Sequence, residues 1–117
     1  LKGLYLKPKS MNLLSIYGFI LDKQNKFRQI IEVLNSIEIN EKTPWLIPKL
    51  VSRAWTELGY DRNSAQTWSK LVYSKHSKAL EASKNTLDAY KRVGDVNMIK
   101  IWGQKVSELE LNKKINK

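Results

Sequence analysis

Two segments of this sequence, SRAWTELGYDRNSAQTWSKLV and LDAYKRVGDVNMIKIWGQKV, follow one pattern at nearly constant spacing. Each consists of a helical stretch, a glycine and a second helical stretch. The matched positions are Ala54, Trp55, Leu58 and Gly59 with Ala89, Tyr90, Val93 and Gly94 at a spacing of 35, and Trp68 and Val72 with Trp102 and Val106 at a spacing of 34. A helical hairpin repeated at this period buries its apolar face by stacking on its neighbours.

Apolar residues recur at steps of three and four along most of the chain, which indicates helix. This periodicity predicts an all-α fold with six helices, at residues 11–23, 26–39, 45–58, 65–76, 80–93 and 96–111. We expect three helix-turn-helix pairs, near 11–44, 45–79 and 80–112, stacked as a short right-handed α-solenoid. Residues 1–10 form a basic N-terminal segment and residues 113–117 a basic tail. The alternative is a plain six-helix bundle with a chance match.

The turns within the pairs carry their own signals. Gly59 and Gly94 are expected to end helices in the left-handed conformation. Asp95 is suited to cap the next helix, and Asn63 or Ser64 to cap the helix after Gly59. Going back from Ala54 by one period reaches a first pair that fits by spacing but shares few identities.

Composition excludes several kinds of site. With no cysteine, the chain has no disulfide and no cysteine-bound metal. His76 is the only histidine; SKHSK predicts an exposed turn without partners for a metal or a nucleophile. No glycine-rich phosphate loop occurs, so we expect no enzyme and no cofactor. The apolar run LLSIYGFIL is far shorter than the roughly 20 residues of a membrane span.

The charge is strongly basic, with 21 Lys and Arg against 11 Asp and Glu and a net charge of +10. Such a surplus is typical of chains that meet RNA, DNA or an acidic membrane face. Its simpler explanation is solubility. The first 21 residues hold no acid, which fits either an import sequence or an ordinary basic tail.

Residues 87–111, LDAYKRVGDVNMIKIWGQKVSELEL, resemble the core of a pentatricopeptide repeat, whose period is also 35. The tetratricopeptide repeat, with period 34, is a near alternative. The first resemblance implies an RNA-binding protein of organelle gene expression in the mitochondrial matrix, acting in transcript processing, stability or translation and in contact with the ribosome. The second implies a scaffold that holds a protein segment in its groove.

The resemblance also implies base-reading positions at Lys49 and Lys84, and at Leu14 in the first pair. The family uses Asn, Ser or Thr there, so lysine predicts a phosphate contact instead of base reading. Our candidate RNA-binding residues on the first helices of the pairs are Lys49, Arg53, Lys84, Lys91 and Arg92. The alternative for each is a solvated helix face.

Aromatic side chains could stack on bases, but most lie on apolar helical stripes. Trp55, Trp68 and Trp102 are therefore predicted to be core residues. Trp45 and Tyr60, at helix edges, and Tyr5, in the basic start, are freer for a ligand.

Overall fold

The computed structural model describes residues 8–115, with side chains described from residue 11 onward. Within this range the chain is all-helical and contains no strand. The helices are α1 (Pro8–Lys23), α2 (Phe27–Leu34), α3 (Leu46–Glu57), α4 (Asp61–Tyr73), α5 (Ala79–Val93) and α6 (Val96–Ile115). The all-α prediction is confirmed. Most of the basic N-terminal segment 1–10, including Tyr5, lies outside the described residues.

Each helix packs against the next one along the chain, and α1 also packs against α3. The buried side chains form two clusters. The first joins α1, α2 and α3 and includes Leu21, Ile30, Leu34, Ile37, Ile47, Leu50, Val51 and Ala54. The second joins α4, α5 and α6 and includes Ala65, Trp68, Leu71, Val72, Ala82, Ala89, Tyr90 and Trp102. Burial of these apolar side chains is the main stabilising contribution to the fold.

One backbone hydrogen bond recurs at the ends of α1, α3 and α5, and His76 forms the same bond with Leu71 at the end of α4. It joins an N–H to the carbonyl five residues earlier: Lys26 to Leu21 at 2.9 Å, Tyr60 to Trp55 at 2.8 Å and Asp95 to Tyr90 at 3.3 Å. This is the bond of a Schellman motif, which requires a left-handed residue just before the donor. Gly59 and Gly94 supply it, with φ of +89° and +80°, and Asn25 supplies it in the first pair. The predicted glycine stops are confirmed.

The predicted end of α2 and the predicted start of α4 are wrong, and α1 begins at Pro8, three residues earlier than predicted. Helix α2 ends at Leu34 because the following segment has its own polar turn. There the Asn40 N–H donates to Thr43 Oγ1 and the Lys42 N–H to Asn40 Oδ1, both at 2.8 Å. Helix α4 begins at Asp61, directly after the turn, so neither Asn63 nor Ser64 is its cap.

The last helix has the predicted cap and continues further than predicted. The Met98 N–H donates to Asp95 Oδ1 at 3.1 Å, and Arg62 donates to Asp95 Oδ2 at 2.9 Å. The Arg62 hydrogen bond, followed by the bond from Met98, lowers the pKa of the Asp95 carboxyl. Arg62 thereby ties α4 to the start of α6, which extends to Ile115, within the predicted basic tail.

The tryptophans follow the core prediction closely. Trp68 and Trp102 are buried, and Trp55 is half-buried against the first cluster. Trp45 is half-buried as well, with its ring centroid 4.8 Å from that of Trp68. Tyr60 is half exposed and meets Trp55 edge-on.

Candidate nucleic-acid interface

A groove with a volume of about 280 Å³ lies between α3 and α5, with α4 at its floor. Three of the predicted RNA-binding residues line it: Lys49 and Arg53 from α3, and Arg92 from α5. All three are exposed. The remaining lining residues are Ser52, Thr56, Ser64, Trp68, Asn85 and Asp88. Cationic, hydroxyl and amide groups thus meet beside one tryptophan.

A second depression, of about 260 Å³, lies between α1 and α3 on the other side of the same two residues. Lys49 and Arg53 line both cavities, so the two are parts of one surface running from α1 over α3 to α5. The second part adds Phe19, Asp22 and Lys23. We call this surface the α1–α3–α5 groove.

Both arginines of the groove are held by carboxylates from the preceding helical pair. Arg53 Nε donates to Asp22 Oδ2 at 2.9 Å, and Arg92 Nε donates to Asp61 Oδ1 at 2.8 Å. Arg92 also reaches Thr56 Oγ1 at 3.4 Å. A guanidinium has five N–H donors, so each arginine keeps donors for a further acceptor. The carboxylates fix their orientation and offset part of their positive charge.

Lys49 and Lys23 are the less compensated cations of the groove. Among the described residues, no carboxylate oxygen lies within 4.0 Å of either ammonium. The Lys23 Nζ sits 5.1 Å from the centre of the Phe19 ring, a cation–π distance. Asp88, exposed on α5, is the acidic residue that lines the groove beside Arg92. The groove carries more cations than acids, and the surplus is centred on α3.

The other two predicted residues lie elsewhere. Lys84 lines a separate depression between α5 and α6, together with Glu110, Lys113 and Lys114. Its Nζ lies 3.8 Å from Glu110 Oε2. Lys91 is exposed on α5 but lines neither of these cavities. The structure therefore brings together three of the five candidates and separates the other two.

Several groove residues were not singled out from the sequence, although their spacing contained the signal. Ser52 lies three residues after Lys49 and Thr56 three residues after Arg53, which places them on one helical face. Asn85, Asp88 and Arg92 share a face of α5 in the same way. Trp68 was predicted only as a core residue. It is buried and also forms part of the groove floor.

The prediction of an exposed His76 is wrong. The side chain is only 9 % exposed, and its Nε2 lies 2.8 Å from the carbonyl oxygen of Thr43. The Lys78 N–H donates to Nδ1 at 3.1 Å, so Nδ1 is the acceptor and Nε2 donates to the Thr43 carbonyl. Both nitrogens are satisfied by backbone groups, so His76 joins the α2–α3 loop to the α4–α5 turn. Within residues 8–115, no cluster of three or more potential metal ligands occurs.

No helix among the described residues has the length and apolar character needed to cross a membrane.

The phenol of Tyr90 does not line the groove. Burial raises its pKa, and the nearby charge of Arg62 lowers it by a smaller amount.

Comparison of the chain with protein-family models, with curated proteins and with solved structures gives no match. The function proposed below therefore rests on the residues of this chain.

Proposed function

We propose that this chain is an RNA-binding helical-repeat protein whose α1–α3–α5 groove follows the phosphate backbone of RNA. The observation that carries the proposal is the meeting of Lys49, Arg53 and Arg92 in one groove. Cations that line one groove can contact the phosphates of a bound strand, and such contacts bind RNA without reading its sequence. Thr56 and Asn85 add donors for phosphate or 2′-hydroxyl oxygens.

The arrangement of the three pairs as a short right-handed α-solenoid belongs to this proposal. It is supported by the spacings of 34 and 35 residues between the hydrogen bonds that end α1, α3 and α5, although the same bond also ends α4. In such a stack the first helices of the pairs lie side by side, and their shared surface is the α1–α3–α5 groove.

The cellular setting is proposed from the resemblance to pentatricopeptide repeats. In this proposal the chain acts in the mitochondrial matrix, in transcript processing, stability or translation. Its partners are ribosomal RNA or single-stranded RNA, and ribosomal proteins. The net charge of +10 supports a polyanionic partner and does not by itself select the organelle.

A protein-binding scaffold of the tetratricopeptide type is the second candidate, and Asn85 is the observation that favours it. An amide side chain in a groove can both donate to and accept from an extended peptide backbone. The two carboxylate-held arginines would then face acidic side chains of the peptide. The charge of the groove fits either ligand, so the affinity must be measured for both.

The test is fluorescence anisotropy with a labelled single-stranded RNA and a labelled acidic peptide, each at low and at physiological salt. We expect RNA to bind more tightly and its affinity to fall steeply with salt, with a log–log slope of about −0.7 for each phosphate contacted. Absence of RNA binding at low salt contradicts the proposal, and tighter binding of the peptide selects the scaffold.

The matched variants are Lys49→Ala in the groove and Lys100→Ala on the exposed surface of α6. Both remove one exposed lysine and lower the net charge equally. Lys49→Ala should weaken RNA binding and reduce the magnitude of the salt slope by about 0.7, the value for one phosphate contact on a single strand. Equal effects of the two variants would show that binding depends on net charge and not on the groove.

A further inference from the structure

Helix α1 has a second apolar face, opposite the one that packs on α2 and α3. It consists of Leu13, Ile16, Tyr17 and Ile20, which are 67, 57, 46 and 46 % exposed. Their spacing of three, four and seven residues places them in one stripe along the helix. We call these four residues the α1 stripe.

The α1 stripe occupies positions that are buried in the next pair. Thirty-four residues later stand Ile47, Leu50, Val51 and Ala54 of α3, none of them more than 4 % exposed. This is the same spacing that relates the hydrogen bond after α1 to the one after α3. In α3 these four positions belong to the first core cluster with residues of α1 and α2. The α1 stripe therefore has the position and composition of an interior face that nothing in residues 8–115 covers.

Charge favours a second copy of this chain through the same stripe. Residues 11–21 contain no charged side chain, so the middles of two stripes can meet without burying a charge, and Lys23 lies at one end of each stripe. The opposite end of the molecule is different, because Lys84, Glu110, Lys113 and Lys114 lie together there. A head-to-tail contact would bury these charges against apolar groups, at a high desolvation cost.

The exposed area is also of the right order. Large side chains carry about 150–250 Å² each. On that scale the four residues of the stripe leave roughly 400 Å² of apolar surface per copy. Two copies would bury roughly 800 Å², and more with their polar rims, which is the size of a weak interface.

We propose that two copies associate through antiparallel α1 helices, with Ile16 and Tyr17 near the two-fold axis and Leu13 against Ile20 of the other copy. Such a contact is isologous and closes at the dimer. Because two basic chains repel, added salt should strengthen it, whereas added salt weakens RNA binding. The opposite salt dependences of dimerisation and RNA binding therefore distinguish a failure of the dimer proposal from a failure of the RNA proposal.

Sedimentation velocity from low micromolar to several hundred micromolar protein tests the dimer. Ile16→Glu should raise the dissociation constant at least tenfold. The matched control is Ile101→Glu, because Ile101 on α6 is 58 % exposed, nearly as much as Ile16, and lies outside the stripe. Far-ultraviolet circular dichroism should show that both variants remain helical, since neither isoleucine is buried.

Disulfide trapping tests the orientation, because the natural chain has no cysteine. On oxidation, two copies of the Ile16→Cys variant should form a disulfide with each other. In a mixture, the Leu13→Cys variant should form a disulfide with the Ile20→Cys variant. Ile101→Cys should stay monomeric. The proposal is overturned by a chain that is monomeric at every concentration, by equal effects of Ile16→Glu and Ile101→Glu, or by binding of the stripe to anionic lipid vesicles in place of a dimer.

Discussion

The Nε2 atom of His76 lies 2.8 Å from the carbonyl oxygen of Thr43, thirty-three residues earlier in the chain. This bond is buried and joins two connecting segments instead of two helices. The same ring accepts the Lys78 N–H, so a single side chain satisfies backbone groups of both segments. A histidine used in this way stabilises the packing of successive helical pairs.

Replacing His76 with alanine should therefore destabilise the fold by about 2–3 kcal/mol, because it removes two hydrogen bonds and leaves the carbonyl of the buried Thr43 without this partner. Equilibrium urea unfolding followed by tryptophan fluorescence measures the change. The control is Ser77→Ala at the exposed neighbouring position, which should shift the free energy of unfolding by no more than about 0.5 kcal/mol. Equal stability of His76→Ala and the natural chain would contradict the structural role.

The left-handed turn residues give a pair of opposite predictions. A Cβ at Gly94 would meet no atom within 4 Å, so Gly94→Ala adds only the backbone cost of the left-handed conformation. That cost is about 1–2 kcal/mol. Lys75 already bears it, with φ of 57°, and Lys75→Gly should recover part of it, about 0.5 kcal/mol or more. Thermal unfolding should show a lower melting temperature for the first variant and a higher one for the second.

The turns were predictable because they depend on local chemistry. A glycine that ends a helical pattern and precedes an aspartate indicates a left-handed stop and a cap, and both are present at Gly94 and Asp95. Helix α2 was predicted too long because its periodicity continues to Ile37, which is buried although the helix has ended. Periodicity detects burial more directly than it detects helix.

The groove was predictable in part for the same reason. Lys49 and Arg53 share a helical face at a spacing of four, and the face could be assigned from the apolar residues opposite. The carboxylate partners of the arginines could not be predicted from the sequence, because Asp22 and Asp61 lie 31 residues away from Arg53 and Arg92. His76 was misjudged because its neighbours in sequence are polar, whereas its burial comes from the α2–α3 loop.

Two glycines within helices should respond oppositely to alanine. A Cβ at Gly18 would lie 2.7 Å from Leu34 Cδ1 and 3.0 Å from Leu50 Cδ1, both in the core. At Gly103 it would meet nothing within 4 Å. Gly103→Ala should stabilise the fold by about 0.5–1 kcal/mol through helix propensity. Gly18→Ala should destabilise it by about 1 kcal/mol, because overpacking outweighs that gain.

Urea unfolding of both alanine variants tests this difference, which should be close to 2 kcal/mol between them on these two estimates. Stabilisation by Gly18→Ala would show that Leu34 and Leu50 move aside without cost. The close contact of α1 with α2 and α3 would then be looser than the structure indicates.

Asp95 should make stability depend on pH in the acid range. Its pKa is lowered in the fold from an ordinary value near 3.8, first by the bond from Arg62 and then by the Met98 N–H. The charged form therefore contributes stability above the unfolded pKa, and this contribution is lost as pH falls through the lower folded pKa. Asp95→Ala should melt a few degrees below the natural chain at neutral pH. The difference in melting temperature between the two proteins should become smaller below pH 3.8. A difference that stays constant down to pH 2 would contradict the lowered pKa of Asp95.

Neutralising acids of the groove should have the opposite effect from removing Lys49. Asp88 lines the groove beside Arg92 and has no ion-pair partner among the described residues, so Asp88→Asn removes a negative charge without releasing a buried group. We expect RNA affinity to rise about two- to fivefold at low salt, consistent with one weak exposed charge interaction of up to about 1 kcal/mol, and the gain to shrink as salt screens it.

The matched control for this prediction is Glu32→Gln, which removes one exposed acid from α2, a helix that lines neither part of the groove. Both variants raise the net charge by one, so a gain caused by overall charge alone would be the same for the two. A larger gain for Asp88→Asn locates the RNA beside Arg92. Equal gains, together with an unchanged salt slope for Lys49→Ala, would place the RNA outside the groove. The separate basic depression of Lys84, Lys113 and Lys114 would then be the next surface to test.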